Sequence, residues 1–357
     1  MTEPRAIEAL IETDVVVIGA GPAGLFQVFE LGLLEMRCHV IDSLPGPGGQ
    51  CVELYADKPI YDIPGTPACT ARELIDRLLM QIAPFDPQFH FGQQVDVLQR
   101  LDDGRFRVET SKGLQLIAKA IVIASGVGSF QPRRLKIEGL DAFNDRQVFY
   151  SDAAAPAFAG KRVLVIGDSD AALDCVQRLA SPGPQRAIEV TLMHRRDEFK
   201  AAPDTIARLM QSRATHQLQF VAGQAVGFET HDGRLTALSI VAPDGSTRAE
   251  PIDALIVLTG LSPKLGPIAD WGLALARKQL VVDTEKFETS EPGIFAVGDV
   301  NTYPGKKKLI VCGFHEAALA AFGAAAHVFP GKAVPLEYTT TSPRLLRALG
   351  RVGTQVP

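Results

Sequence analysis

Cysteine is sparse and scattered in this 357-residue chain. The five cysteines, Cys38, Cys51, Cys69, Cys175 and Cys312, stand far apart, and no two share Cys-x-x-Cys spacing. No Cys-x-x-Cys redox motif is therefore present. An odd, dispersed set suits a reducing compartment, so a cytoplasmic protein with buried thiols is expected. Positive charge is also short: 36 Lys and Arg stand against 41 Asp and Glu, a formal net charge of -5, which argues against bulk binding to nucleic acid. Neither a secretory signal nor a membrane span is expected. The apolar run near the N-terminus follows Glu3, Glu8 and Glu12 and is broken by glycines and Pro22. No cluster has metal-ligand spacing, so no metal site is expected. What is present, 46% hydrophobic and 22% charged residues, is ordinary for a soluble globular chain with two or three domains.

The most informative stretch is Asp14-Val15-Val16-Val17-Ile18-Gly19-Ala20-Gly21-Pro22-Ala23-Gly24. A β-branched run predicts a buried strand, and the glycines then open a helix. Gly19 permits the tight turn, Gly21 lets a pyrophosphate approach the backbone with Pro22 at the helix start, and Gly24 lets helix and strand pack closely. The phosphate would meet free amides at the positive end of the helix dipole. The next strand, Cys38 to Ile41, ends in Asp42, where a carboxylate can accept from both ribose hydroxyls.

A loop rich in Pro and Gly follows, Pro45 to Gln50, whose composition predicts no regular structure. Thr70 to Pro84 carries Leu74, Leu78, Leu79 and Ile82 at helical spacing. Short strands are expected at 95–98, 105–108 and 114–117, the first two joined at Asp102-Asp103-Gly104, and a further buried strand at 120–126.

A second nucleotide-binding pattern begins at Lys161. Strand Arg162 to Ile166 runs into Gly167-Asp168-Ser169-Asp170-Ala171-Ala172, with a helix after it, and strand Glu189 to Met193 delivers His194-Arg195-Arg196. Here the strand ends in paired arginines, which fit a ribose 2′-phosphate, whereas Asp42 fits a free ribose. One chain is therefore expected to hold FAD at one site and NADPH at another. Asp168 puts negative charge beside the expected pyrophosphate and Ser169 replaces the second glycine, so this site should bind more loosely. The segment 223–240 reads as a hairpin, and strand 252–258 returns the chain to the first domain.

The boundaries expected from this pattern are 1–125 and 260–357 for an FAD-binding domain and 126–259 for an NADPH-binding domain inserted into it. The fold class is α/β, with two Rossmann-like three-layer domains. A third signal, Gly293-Ile294-Phe295-Ala296-Val297-Gly298-Asp299, is a strand ending in Gly-Asp. There Asp299 can reach ribityl hydroxyls, and the following helix, from about Val311, can aim its positive end at the flavin.

Taken together these motifs resemble the two-dinucleotide flavoprotein family of thioredoxin reductase, and more closely its thioredoxin-reductase-like ferredoxin–NADP⁺ reductases. The resemblance is carried by Ser43-Leu44-Pro45, Gly48-Gly49-Gln50, Leu54-Tyr55, Ile60-Tyr61-Asp62, 128–133, 194–199, Asp299-Val300-Asn301-Thr302-Tyr303-Pro304-Gly305-Lys306 and 313–317. It implies that Tyr55 lies on one flavin face and that Gly49, Gln50 and Asp299 hold the ring and ribityl chain. Val95 and Phe130 would be further FAD contacts, and Gly167, Ser169, Asp170, Ala171, Arg195 and Arg196 would hold NADPH. The family's C-terminal histidine over the other flavin face is replaced here by Tyr338, with Thr340 as the accompanying hydroxyl. The redox Cys-x-x-Cys of thioredoxin reductases is replaced by Ser151-Asp152-Ala153-Ala154, and the loop cysteine of bacillithiol-disulfide reductases by Ala23.

The implied activity is hydride transfer from NADPH to flavin N5 and single-electron release to ferredoxin or flavodoxin, by a homodimer without a catalytic nucleophile or base. Two alternatives stand beside it: an NADPH-dependent reductase of a small quinone or external dithiol, and a flavin-bound regulator without turnover. An acidic partner needs basic surface, for which the sequence offers Lys306 to Lys308, Arg133, Arg134 and Lys136, and Arg344, Arg347 and Arg351. His315 and Glu316 are expected to cap or pack a helix. The hydroxyl-rich segment from Thr339 to Ser342 is expected to be weakly anchored, with Tyr338 as a movable lid.

Overall fold

The computed structural model describes residues 10–151, 158–183 and 186–350. Seven α-helices lie among them: α1 (Pro22–Leu33), α2 (Gly49–Tyr55), α3 (Ala71–Ile82), α4 (Asp170–Ala180), α5 (Pro203–Ala214), α6 (Ile310–Val328) and α7 (Pro343–Ala348). The chain divides into two compact units, one of residues 1–129 with 264–357 and the other of residues 130–263. These boundaries fall four residues beyond the expected 125/126 and 259/260. The crossings are the strands Ser129–Pro132 and Leu261–Lys264, which pair with each other.

In the first unit the strand Ile11–Ile18 is central. It pairs in parallel with Cys38–Asp42 on one side and Gln115–Ile123 on the other. Both faces are covered, so Val15, Val16 and Val17 are fully buried, which is why the run is apolar without alternation. Gln88–Phe91 pairs beyond Cys38–Asp42. On its other edge the strand Gln115–Ile123 serves two partners: its first half pairs with the antiparallel strand Phe106–Thr110, its second half with Ile294–Ala296. The two strands expected at 114–117 and 120–126 are therefore one. Lys119, the charge between them, turns aside to Asp14 Oδ1 at 2.7 Å while the backbone runs on.

Helix α3 starts at a reciprocal cap. The Thr70 hydroxyl accepts the Glu73 amide at 3.2 Å, and Glu73 Oε2 accepts the Thr70 amide at 2.8 Å. The loop expected to be irregular as far as Gln50 instead begins α2 at Gly49, after positive φ at Gly48 and Gly49 (120° and 54°) makes the turn. Helix α6 is apolar and long enough to cross a membrane by length and composition. One face of it packs into the first unit's core, where Ala320, Ala321 and Ala324 are fully buried, and it carries a buried Glu316.

The second unit holds five parallel strands in the order Val148–Phe149, Ala254–Val257, Arg162–Ile166, Glu189–His194, Gln219–Ala222. Helix α5 and the strand Gln219–Ala222 carry little sequence signal; α5 buries only Thr205, Leu209 and Ser212. The hairpin expected over 223–240 gains a third antiparallel strand, Thr247–Pro251. Each unit thus has the helix-flanked parallel sheet of a nucleotide-binding fold, one inserted into the other.

Candidate cofactor sites

In the first unit the glycine turn is built by close approach. A Cβ on Gly19 (φ 112°) would lie 2.4 Å from the Ala124 carbonyl oxygen, and one on Gly24 would lie 2.0 Å from that of Gly19. Gly21 is the exception: nothing stands within 4 Å of its Cβ position. The turn is therefore packed from behind and open in front. Pro22 contributes no amide hydrogen, and the first-turn amides of α1 point out of that open end. Gly49 lies against the turn, its Cβ position 3.2 Å from Gly21 Cα, and Gly48 donates to the Ala20 carbonyl at 2.9 Å. Beside it the Ser125 hydroxyl is buried without a protein partner, an orphaned donor that strand periodicity alone did not mark.

Asp42 does not stand free. Its Oδ2 accepts the Ala20 amide at 2.7 Å and its Oδ1 the Leu44 amide at 2.8 Å. The carboxylate ties the glycine turn to the following loop, each oxygen retaining a second lone pair. Burial raises its pKa, and the two amide bonds oppose that rise.

Asp299 and Tyr55 are brought near each other although α2 and the Gly-Asp turn are remote in sequence. The Asp299 charge contributes to the upward shifts of the Tyr55 phenol and the Cys51 thiol, both of which burial drives first. Asp299 is itself shifted upward by burial, with Lys308 and Lys306 opposing. Cys51 Sγ lies 3.5 Å from the Tyr55 hydroxyl. Gln50 sits in the first turn of α2. Val95 is in the core, 3% exposed, so any ligand contact there would fall to its backbone. The Phe130 side chain lies outside the described residues.

The Gly-Asp turn rests on Glu316, a residue the sequence marks only as a capping or packing group. Glu316 is fully buried and accepts the Gly298 amide (2.7 Å), Asn301 Nδ2 (2.8 Å), the Tyr303 hydroxyl (2.9 Å) and Lys306 Nζ. Lys306 Nζ also donates to the Gly298 carbonyl at 2.8 Å. Both polar backbone groups of Gly298, the residue before Asp299, are thus held by one ion pair. The expected basic patch at 306–308 must be corrected: Lys306 is consumed internally, leaving Lys307 and Lys308 exposed. Arg134 is likewise engaged with Asp141 at 3.1 Å.

Among the described residues no hydrogen bond joins Tyr338 or Thr340 to this cluster. Arg344 at the start of α7 donates to the Leu33 carbonyl at 3.0 Å and pairs with Glu35 and Glu337, Ser342 bonds Glu337, and Leu345 is buried. The tail is therefore anchored, contrary to expectation, and at the C-terminal end of α1. That helix has 12 residues, so it places the tail about 18 Å from the glycine turn.

The second unit repeats the glycine-turn geometry. Gly167 donates to the Met193 carbonyl at 3.1 Å, as Gly19 does to Ile41 at 2.8 Å. A Cβ on Gly167 would meet Ala172 Cβ at 2.5 Å and the Leu258 carbonyl oxygen at 2.6 Å. Ser169 is the N-cap of α4 and its hydroxyl makes no capping bond, so it is free to donate to a phosphate. Asp170 Oδ1 accepts the Ala202 amide at 2.8 Å, tying α4 to the start of α5. Ala171, Arg195 and Arg196 are exposed, and neither arginine is in an ion pair among the described residues. Asp168 differs from expectation: its carboxylate turns from the helix mouth toward the end of the strand Glu189–His194, 3.1 Å from Lys200 Nζ and 3.7 Å from His194 Nε2.

Residues 13–319 match the family of pyridine nucleotide-disulphide oxidoreductases. The chain is 59% identical over 340 residues to a ferredoxin–NADP reductase of Methylibium petroleiphilum, covering 95% of this chain and 93% of that one. It is 58% identical to a ferredoxin–NADP reductase of a Polaromonas species over the same shares. Among solved structures, a thioredoxin reductase from Lactococcus lactis matches with a TM-score of 0.56 at 25% identity, over 88% of this chain and 99% of that one. A bacillithiol disulfide reductase from Staphylococcus aureus shares the fold, with a TM-score of 0.60 at 15% identity over 88% of this chain and 99% of its own.

Proposed function

Because the chain belongs to the pyridine nucleotide-disulphide oxidoreductase family, we propose that it is a ferredoxin–NADP reductase, holding FAD in its first unit and NADPH in its second. The observation that carries this is near-60% identity over 95% of the chain to proteins of that name. The second unit contains a single cysteine, Cys175, which is buried, so a redox dithiol does not compete as the electron exit.

The residues fit the group the family implies. The space in front of Gly21 admits a pyrophosphate where Gly19 and Gly24 admit nothing, and the first turn of α1 offers it amides. Asp299 would accept from a ribityl hydroxyl, Tyr55 would cover one ring face, and the remaining lone pairs of Asp42 would receive a ribose hydroxyl. Bound FAD supplies the hydride-accepting ring and the conversion of two-electron to one-electron transfer. The protein's own part is to hold the Gly298–Asp299 turn in one geometry through Lys306 and Glu316. In the second unit the Ser169 hydroxyl and the α4 amides would take the diphosphate, and Arg195 and Arg196 the 2′-phosphate.

The same reading includes a cytoplasmic homodimer whose partner is an acidic ferredoxin or flavodoxin. No disulfide joins any of the five cysteines, which supports a reducing compartment. The tail is anchored at the C-terminal end of α1, which supports a reading in which Tyr338 and Thr340 cover the flavin of a second copy. Lys307, Lys308, Arg133, Lys136 and Arg347 remain exposed for an acidic partner. Steady-state assays test the activity: NADPH oxidation that rises in proportion to added ferredoxin supports it, and NADPH oxidation indifferent to ferredoxin and flavodoxin contradicts it.

A further inference from the structure

In this topology the ribose hydroxyls of a dinucleotide are read at the end of the strand that follows the glycine-turn helix. For the second unit that place is His194, and no acidic residue stands there; Arg195 and Arg196 follow instead. The acid comes from another direction. Asp168, within the glycine turn, sends its carboxylate to the same strand end, where Oδ2 lies 3.1 Å from Lys200 Nζ and 3.7 Å from His194 Nε2. Its side chain is 19% exposed, so it is held in place and still reachable. The backbone fixes it there. The Asp168 carbonyl accepts the Lys200 amide at 2.6 Å, and Ser169 and Lys200 form an isolated parallel bridge. The Lys200 side chain is 87% exposed, free to turn toward a ligand phosphate or to stay with Asp168.

We propose that Asp168 is a specificity-determining residue: at the ribose-reading end of the second unit it competes with a 2′-phosphate for Lys200 and offers a free 2′-hydroxyl an acceptor, so the site uses NADH as well as NADPH. This deepens the reading of the second unit as the NADPH site and rests on it. A 2′-phosphate meets Arg195, Arg196 and Lys200, but with one carboxylate already among them. Like charges at such distances are screened little when partly buried. A free 2′-hydroxyl meets no such opposition and gains a charge-assisted bond. The arginines keep NADPH ahead, and Asp168 narrows the margin.

The test uses the intact flavin-loaded protein and calorimetric binding of two probes, 2′,5′-ADP and 5′-AMP. In Asp168→Asn, which keeps the size of the side chain, 2′,5′-ADP should bind about tenfold tighter while 5′-AMP binds equally or more weakly. The NADPH/NADH ratio of kcat/KM should rise by a similar factor. Asp168→Gly should give the same direction, and Lys200→Met should weaken 2′,5′-ADP without weakening 5′-AMP. Equal weakening of both probes in Asp168→Asn would assign the carboxylate to holding the turn alone and overturn the inference. Unchanged binding of both would overturn it too. Failure of the unsubstituted protein to bind either probe would overturn the NADPH reading of the unit and this inference with it.

Discussion

Lys306 and Glu316 form an ion pair from which water is almost wholly excluded, with side chains 7% and 0% exposed. Its two members hold the carbonyl and the amide of the same residue, Gly298, whose positive φ of 79° aims the chain into Asp299. Removing one member of such a pair strands a charge in the core, which costs about 3–5 kcal/mol. Lys306→Met is expected to lower the unfolding midpoint in urea and to release FAD more readily on dialysis. A variant with undiminished stability and undiminished flavin content would show that the pair does not hold the turn.

Little of that pair was readable beforehand. Lys306 sits in a run of three lysines, and a charge run is usually a solvated face; its burial depends on Glu316 and Tyr303, which only the folded turn brings together. Asp42 is similar. Its place at the strand end is local and legible, but the engagement of both oxygens by Ala20 and Leu44 requires the path of the next loop. The anchored tail depends on Arg344 meeting Leu33 and Glu35, partners more than 300 residues away in sequence. By contrast the two glycine turns were legible because their constraint is short-range. A side chain at Gly19, Gly24 or Gly167 collides with backbone or side-chain atoms of the adjoining strand, helix and turn.

Arg195 and Arg196 carry no ion pair among the described residues and are free to bind phosphate. Each charge-assisted bond to a 2′-phosphate should contribute about 1.5–3 kcal/mol. Replacing both with alanine should reduce the NADPH/NADH ratio of kcat/KM by roughly tenfold to a hundredfold, read in steady-state kinetics. An unchanged ratio would remove them from the 2′-phosphate site.

Glu30, half-buried on α1, has its carboxyl pushed up to about 6 by burial alone. A raised folded-state value means that burial disfavours ionised Glu30 relative to the protonated form. Its favourable contribution is complete below the unfolded value near 4.5 and is lost as pH rises through 6. Glu30→Gln should therefore stabilise the protein by about 1–2 kcal/mol at pH 8 and leave it unchanged at pH 4. Denaturant melts at the two pH values check this; equal effects at both would contradict it.

Arg344 ties the tail to α1 through Leu33, Glu35 and Glu337. Arg344→Ala should raise amide exchange of 337–348 by roughly fivefold, the size expected for about 1 kcal/mol of partly exposed ion pairing. Exchange elsewhere in the first unit should be unaffected. Unaltered exchange in the tail would mean that burial of Leu345 anchors it unaided.

The most direct measurement is anaerobic stopped-flow absorbance of the purified protein in two mixings. NADPH should bleach the flavin band in the first, faster than NADH does, and oxidised ferredoxin should restore it in the second, with reduced ferredoxin formed at two molecules per flavin. A flavin band that NADPH leaves unbleached, or one that NADPH bleaches but neither ferredoxin nor flavodoxin restores, would contradict the assignment.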